Sequence, residues 1–477
     1  MPRTRAAPVL ALTTLVVAGM CAMATSSSQA AVRTRASFDL SSQQPVAREW
    51  FTASGRVSTR FRRPVQVRVL AGPSWRVVRR ATTSTSGVYR VTRLATTVPR
   101  RYSVVVPAVR RSGRVFSRVV TGTRTVSPVQ QSSSLDVLPP VAQRGSAAAA
   151  SSLAKNSVVA RFTPARPGRP VTFRERSQDG RWVVIGGSTR QGADGTAYFF
   201  GTAGTRVFEA TTASRFGAPA VTTRATSNAW VPTFGDDFSG TTLDRAKWSY
   251  RTGRAPSRTH STNDPRSVTV GSGTLRLQVR LDPAAPNTTA ANTRYLNGQV
   301  GTDGGYDFTY GVASARVRFS PARGQHGSFW LQSPTYGRFA GNPGSSGTEI
   351  DVAEFFGRGF PKGGLATYVY YTDRTGDTVK IGDVWPRAAG LVPRADTWWS
   401  SYHVFTVKWG PRGYTFYVDG RVLYATDRGV SQTRQYLILS LLTSDWELPD
   451  LRRASLPTSM SVDWARVWRS AVGSSPR

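Results

Sequence analysis

Glu349-Ile350-Asp351-Val352-Ala353-Glu354 gathers three carboxylates into six positions of a chain that has only 6 Glu and 21 Asp in 477 residues. A Glu-x-Asp-x-x-Glu arrangement would arise by chance roughly 0.003 times in such a composition, so the cluster calls for a reason. Side chains alternate along a strand, which puts Glu349 and Asp351 on one face and the apolar Ile350 and Val352 on the other. Glu354 then falls on the wrong face unless one extra residue is inserted. A β-bulge near Val352-Ala353 would bring all three acids into a row, and bulges concentrate beside active sites. Calcium binding is a poor match, because its oxygen ligands come interleaved on a flexible loop and not between apolar strand residues. Three buried acids with a purely structural role would cost several kcal/mol without partners. Cleavage of a glycosidic bond needs a pair of carboxyls about 5–5.5 Å apart when configuration is retained, and a bulged strand can supply that spacing.

The elements that must position these acids are strands. Hydrophobic residues are 39% and charged residues 19%, with 44 Gly, 29 Pro and only 5 Lys and 6 Glu, a balance that favours strands and turns over helices. Clear strand patterns cover residues 274–279, 313–319, 403–408, 414–418 and 436–442, and Asp419-Gly420 marks a hairpin. The expected fold is all-β, with a jelly-roll sandwich over residues 230–470 carrying the chemistry.

Two shorter stretches precede it. Val57 to Phe61, Arg63-Pro64-Val65 and Trp75-Arg76-Val77-Val78 are followed in the same order by Val159 to Phe162, Arg169-Pro170-Val171 and Trp182-Val183-Val184. This repeat predicts two small Ig-like β-sandwich modules, 33–130 and 135–226, with Trp75 and Trp182 packed between their sheets. Neither carries a catalytic cluster, which suits spacers or wall-binding units.

Net charge is +36. Residues 1–229 hold 34 basic and 7 acidic side chains, and residues 230–477 hold 29 and 20, so the polycation is the front half. Attraction to an anionic cell-wall or matrix polymer follows from that charge, and an arginine-rich codon preference is the plain alternative. Nucleic acid is not an expected partner, because the arginines are dispersed and no groove-reading motif accompanies them. Arg3 and Arg5, the uncharged apolar run 6–24 and the small residues Ser28 and Ala30 predict a cleaved signal peptide over 1–30, hence a secreted protein. The single cysteine, Cys21, lies inside it, leaving no disulfide, and Met20 is too bulky for a lipid-anchor signal on Cys21. No other apolar run is long enough to span a bilayer, and a monomer is expected.

The segment 233–469 resembles glycoside hydrolase family 16, in the branch with a bulged Glu-x-Asp-x-x-Glu. The resemblance rests on the acid motif together with Phe234-Gly235-Asp236-Asp237-Phe238 leading to Lys247-Trp248, Gly273-Thr274-Leu275-Arg276-Leu277, Ser328-Phe329-Trp330-Leu331, Phe416-Tyr417-Val418-Asp419-Gly420, and Met460-Ser461-Val462-Asp463-Trp464 closing on Trp468. It implies Glu349 as nucleophile, Glu354 as general acid/base and Asp351 as the residue between them that tunes the nucleophile. It further implies sugar contacts at Trp330 and Trp446, with Tyr370 and Trp385 as weaker candidates, no required cofactor, and Asp463 as a ligand of a structural calcium. Thr367 to Tyr371 lacks a histidine common in the family, and Ser440 stands where an asparagine is usual. The implied activity is retaining endo-hydrolysis of β-1,3-glucan. A carbohydrate-binding protein on the same scaffold and a hydrolase of agar- or carrageenan-type anionic galactans are the alternatives.

Overall fold

A computed structural model describes residues 30–202, 206–227, 230–285 and 293–471. Residues 1–29 of the expected signal peptide, with Cys21, lie outside the described residues. The protein is almost entirely β, and among the described residues no helix exceeds six residues.

The chain divides into two compact units, one formed by residues up to 129 with 216–218, the other by 130–215 with 219–477. In the first, a sheet of Asp39–Leu40, Trp50–Arg56 and Val88–Leu94 faces a second built on Pro64–Ala71, Ser74–Thr82, Arg100–Val106 and Arg124–Val126. Phe51, Ala53 and Val91 from one sheet bury against Val65, Val67, Tyr102 and Val104 from the other. The 135–226 segment repeats the two-sheet plan around Val158, Ala160, Phe162, Val171, Phe173 and Phe208. The repeated Arg-Pro-Val motif has a shared use. Arg63 and Arg169 are both fully buried, Arg63 donating to the Pro107 carbonyl and Arg169 to the Ala213 carbonyl and the Gln131 side chain.

The repeated tryptophans sit elsewhere than the pattern predicts. Trp75 and Trp182 are half-buried on the outer strands Ser74–Thr82 and Trp182–Arg190, where Arg68 lies over one ring at 4.6 Å and Arg224 over the other at 5.1 Å. Neither joins its sandwich core. Alternation on these strands turns the indoles to the guanidinium-covered side, where the cation–π contact replaces core packing.

The 230–470 region is a curled β-sandwich. One sheet runs in the order Thr378–Val384, Leu365–Thr372, Glu349–Phe355, His326–Gln332, Tyr436–Leu442, Tyr295–Gly301. The opposing sheet is built on Thr274–Leu281, Thr458–Ser470, Gly311–Arg318, His403–Gly410, Gly413–Val418 and Arg421–Thr426. Strict alternation makes the core between them. Phe329, Leu331, Ile350, Leu437 and Leu439 from the first sheet meet Ala313, Ala315, Val317, Phe405 and Val407 from the second.

The outer face of the second sheet is also apolar, and residues of the 135–226 segment cover it. Leu138, Val141 and Val159 pack on Val312, Val404, Tyr417, Trp464 and Trp468. A buried guanidinium fixes this contact. Arg316 donates from Nε to the Gln143 carbonyl at 2.9 Å, from its terminal nitrogens to the carbonyls of Ala147 at 3.1 Å and Gly145 at 3.3 Å, and to the carboxylate of Asp463. Its guanidinium lies 4.8 Å from the Tyr402 ring centroid. Asp463 also accepts from the Ala149 amide at 3.2 Å.

The calcium expected at Asp463 does not fit this donor set. A shift in the ladder between Gly311–Arg318 and Thr458–Ser470, where Arg316 faces Trp464 and Val317 faces Val462, leaves Asp463 as the extra residue beside Arg316. Its oxygens are engaged by a cation that the chain itself carries. Among the described residues no cluster of three or more His, Cys, Asp or Glu could hold a metal ion.

Removing only the basic partner would strand a buried carboxylate. Arg316→Met should therefore cost about 3–5 kcal/mol, whereas Arg316→Met with Asp463→Leu should cost less than the single change. Denaturant unfolding of the intact chain measures both, and an additive double variant would count against the clamp.

Candidate active site

The carboxylate strand Glu349–Phe355 carries the bulge that the spacing predicts. Against His326–Gln332 the register runs Gln332 to Glu349, Trp330 to Asp351, then Phe329 to Ala353 and Ser328 to Glu354, so Val352 is the inserted residue. The other neighbour, Leu365–Thr372, shows the same shift, with Tyr370 opposite Glu349, Tyr368 opposite Asp351 and Ala366 opposite Glu354. Val352 and Ala353 both join the core. Two consecutive apolar residues thus point inward, and Glu354 returns to the face of Glu349 and Asp351.

Each glutamate has a fixed donor from the neighbouring strand. Gln332 donates to Glu349 Oε2 at 2.9 Å and is held in turn by the Tyr436 hydroxyl, which donates to Gln332 Oε1 at 2.9 Å. Ser328 donates to Glu354 Oε1 at 3.1 Å. Trp330 lies between these two donors on the same face, and its indole N–H donates to Ser440 Oγ at 3.1 Å. Ser440, a departure from the family pattern, therefore orients the cleft tryptophan.

At the Glu354 end, His326 occupies the next position on that face and shares a 2.8 Å hydrogen bond between Nδ1 and Glu447 Oε2. Trp446, 60% exposed, stacks on the His326 ring at 6.4 Å and lies 6.2 Å from Phe356. On the other side, Tyr368 and Tyr370 line the strand beside the acids, and Lys380 Nζ lies 3.6 Å from the Tyr368 ring centroid.

Burial dominates the electrostatics. It pushes the Glu349 carboxyl up to about 7, with Glu354 adding repulsion and Gln332, Arg258 and Arg251 pulling back. Burial likewise holds Asp351 well above the usual carboxylate range, reinforced by Glu354 and Glu349. Glu354 is raised by burial too, against the opposing charge of His326 and the Ser328 hydrogen bond. His326 is opposed by its own burial, but the Glu447 carboxylate outweighs that and holds the imidazole above its ordinary value. With Asp351 buried and Glu349 and Glu354 half-buried on this face, ionising one carboxyl disfavours ionising its neighbours. Such a row can hold one carboxylate as nucleophile and another as acid.

The structure gathers Glu349, Asp351, Glu354, Trp330 and Tyr370 on one face and sets Trp446 at its rim. Trp385 is placed differently. It packs against the core, 4.7 Å from the ring of Tyr424, and its indole donates to Thr367 Oγ1 at 2.7 Å, on the core-facing side of the strand that presents Tyr368 and Tyr370 to the acids. Strand parity turns it away from the cleft. Gln332 and His326 went unread although they follow from the parity of Ser328 and Trp330. Arg258 and Tyr336 come from loops with no periodic signal, whereas Glu447 sits in the short 3-10 helix Asp445–Asp450, where a Ser444-x-x-Glu447 capping box is readable in the sequence; burial with Glu349 and Asp351 pushes the Tyr336 hydroxyl up to about 12.

Residues 257–466 match the family model described as glycosyl hydrolases family 16. A glucan endo-1,3-beta-glucosidase A1 of Niallia circulans is 28% identical over 272 residues, which is 49% of this chain and 37% of that protein. A keratan-sulfate endo-1,4-beta-galactosidase of Sphingobacterium multivorum is 24% identical over 245 residues, 49% of this chain and 54% of that protein. The chain therefore spans only part of the length of these curated relatives. Among solved structures, an endo-beta-1,3-glucanase from Pyrococcus furiosus superposes with a TM-score of 0.41 at 21% identity, covering 50% of this chain and 95% of its own. A laminarinase catalytic domain from Thermotoga maritima gives 0.40 at 18%, covering 50% and 98%.

A carboxyl raised from its ordinary 4.5 to about 7 stabilises the fold fully only below the lower value, and that stability is lost as pH rises through the higher one. Glu349→Gln should accordingly unfold at a higher temperature than the parent at pH 8, and the gap should close below pH 5. Thermal unfolding of both proteins across that range decides it, and a gap independent of pH would contradict the assigned shift.

Proposed function

We propose, from the premise that residues 257–466 form a family 16 glycosyl hydrolase domain, that this protein is a secreted endo-glycosidase that cleaves β-linked polysaccharide with retention of configuration. Among neutral polymers, β-1,3-glucan is its foremost substrate. The observation that carries this reading is the bulged strand, which presents Glu349, Asp351 and Glu354 on one face with a separate donor on each glutamate.

Glu349 attacks the anomeric carbon as the bond to the departing sugar oxygen breaks, and Glu354 gives that oxygen its proton. Water then adds at the same carbon, Glu354 takes its proton, and Glu349 is released. Gln332 aims Glu349, and Ser328 aims Glu354. Asp351 sits between them in the row, where its protonation state sets the charge that Glu349 feels. Trp330 and Tyr370 offer flat apolar surfaces to sugar rings next to the acids, and Trp446 offers one at the rim. Export through the leader and attraction of the arginine-rich front half to an anionic wall polymer complete the proposal. No helix among the described residues is long and apolar enough to cross a membrane.

A non-hydrolysing carbohydrate-binding protein is the rival, and the retained acids with their donors argue against it. Release of new reducing ends from laminarin and other β-glucans by the parent should fall about 10²–10⁴-fold in Glu349→Gln and in Glu354→Gln. The first product observed by NMR should keep the β configuration. Polymer binding without release of reducing ends would transfer the chain to the rival class.

A further inference from the structure

His326 is a buried ionisable side chain that the cleavage steps leave unused. On its strand Phe329 and Leu331 turn into the core, so His326, Ser328, Trp330 and Gln332 share the opposite face. His326 thus sits one side-chain position beyond Ser328, the residue that faces Glu354 in the ladder and donates to it. Three neighbours fix the ring. Nδ1 shares the 2.8 Å hydrogen bond with Glu447 Oε2, Phe356 lies 5.8 Å from the ring centroid, and Trp446 stacks on it. Glu447 is buried as well, and its Oε2 also accepts from the Ser444 amide at 2.9 Å within the capping box. A carboxylate only accepts, so the bond to Glu447 assigns the Nδ1 proton and leaves Nε2 as the nitrogen that titrates. Among the described residues no protein group is hydrogen-bonded to Nε2.

The charges around this pair come from several elements. Glu447 and Glu354 favour the imidazolium, and Arg258, whose Nε donates to Ser444 Oγ at 3.3 Å, opposes it. Glu354 in turn faces the cations His326, Lys380 and Arg258 and the acids Glu349, Asp351 and Glu447. His326 weighs more on Glu354 than Glu447 does. Double displacement makes contrary demands on that carboxyl. It must hold a proton when it meets the glycosidic oxygen, and it must be ionised when it receives one from water. Burial favours the first state, so a nearby cation is needed for the second.

We propose that His326, held by Glu447, is a positioning residue that acts through Glu354: its imidazolium stabilises the Glu354 carboxylate left after the first step and so speeds the attack of water in the second. The imidazolium keeps its own proton throughout, and the proton of the water goes to Glu354. The inference rests on the glycosidase reading for the reaction, whereas the coupling of the two side chains is measurable without it.

The chain has only 6 Glu and 3 His, few enough to follow each by NMR in the full chain isotope-labelled at the glutamate carboxyls and the imidazoles. Glu354→Gln and His326→Gln identify the two signals by their loss. In His326→Gln the Glu354 carboxyl should titrate at a higher pH than in the parent, its protonated-to-ionised ratio rising about tenfold at a given pH. His326→Lys, which puts an ammonium in the same place, should bring the titration most of the way back, an outcome that lost packing alone would not give. In Glu447→Gln the ring stays, His326 should titrate at a lower pH, and the Glu354 signal should register that lower step. On a β-glucan that the parent cleaves, His326→Gln should lower kcat and KM together on the acid side, because the glycosylated intermediate accumulates, and should carry the alkaline limb of kcat/KM to higher pH. A Glu354 titration indifferent to His326→Gln would overturn the proposal, and should that variant fail to fold, a Glu354 signal blind to the His326 step in Glu447→Gln would do so. Hydrolysis by the parent would then leave the glycosidase reading standing. A Glu354 titration that follows His326 in a chain that cleaves nothing would uphold the coupling, and only the hydrolase reading would fail.

Discussion

Holding three carboxyl groups side by side, Asp351 buried and Glu349 and Glu354 half-buried, is the constraint around which the acid-bearing sheet is organised. Removing one carboxylate from water is costly, and bringing a second and a third beside it adds repulsion. The chain meets that cost locally, through one inserted residue that turns Glu354 back to the row, a glutamine held by a tyrosine at one end, and a serine with a buried His–Glu pair at the other. Ile350, Val352 and Ala353 anchor the same strand in the core from behind. The acids are thus held by packing on one face and hydrogen bonds on the other, which keeps them in place before any substrate arrives.

Charge along the cleft is graded. His326 and Glu447 oppose each other near Glu354, the acid row lies in the middle, and the guanidinium groups of the Tyr250 to Arg258 loop lie past Gln332. A polymer crossing this face would meet aromatic surfaces throughout but a different potential at each end.

Much of this was legible in the residues because strands repeat every two positions. The acid motif, the bulge at Val352-Ala353 and the all-β sandwich follow from alternation and turn signals, whereas the place of Trp330 beside the acids was an implication of the family resemblance. Errors came where alternation alone does not say which face is which. Trp385 lies next to a strand whose cleft-facing residues are known, but its own indole caps the core, and a bulge turned Asp463 toward an arginine 147 positions away. Trp75 and Trp182 read as core because their strands are apolar on paper, and only the arginines of adjacent strands reveal the covered outer face. Arg258 and Tyr336 come from loops that no periodic pattern places, while the position of Glu447 is marked only by the Ser-x-x-Glu spacing of its capping box.

The buried guanidinium of Arg316 bears on how the chain can be divided. The composition changes near residue 230, and a reader of the sequence would cut there to obtain the catalytic part. Such a cut would strip Leu138, Val141 and Val159 from Val312, Tyr417, Trp464 and Trp468, and would take away the carbonyls of Gln143, Gly145 and Ala147 that solvate the arginine. The seam in the primary structure is therefore not a seam in the folded unit: the second repeat and the large sandwich share one compact body.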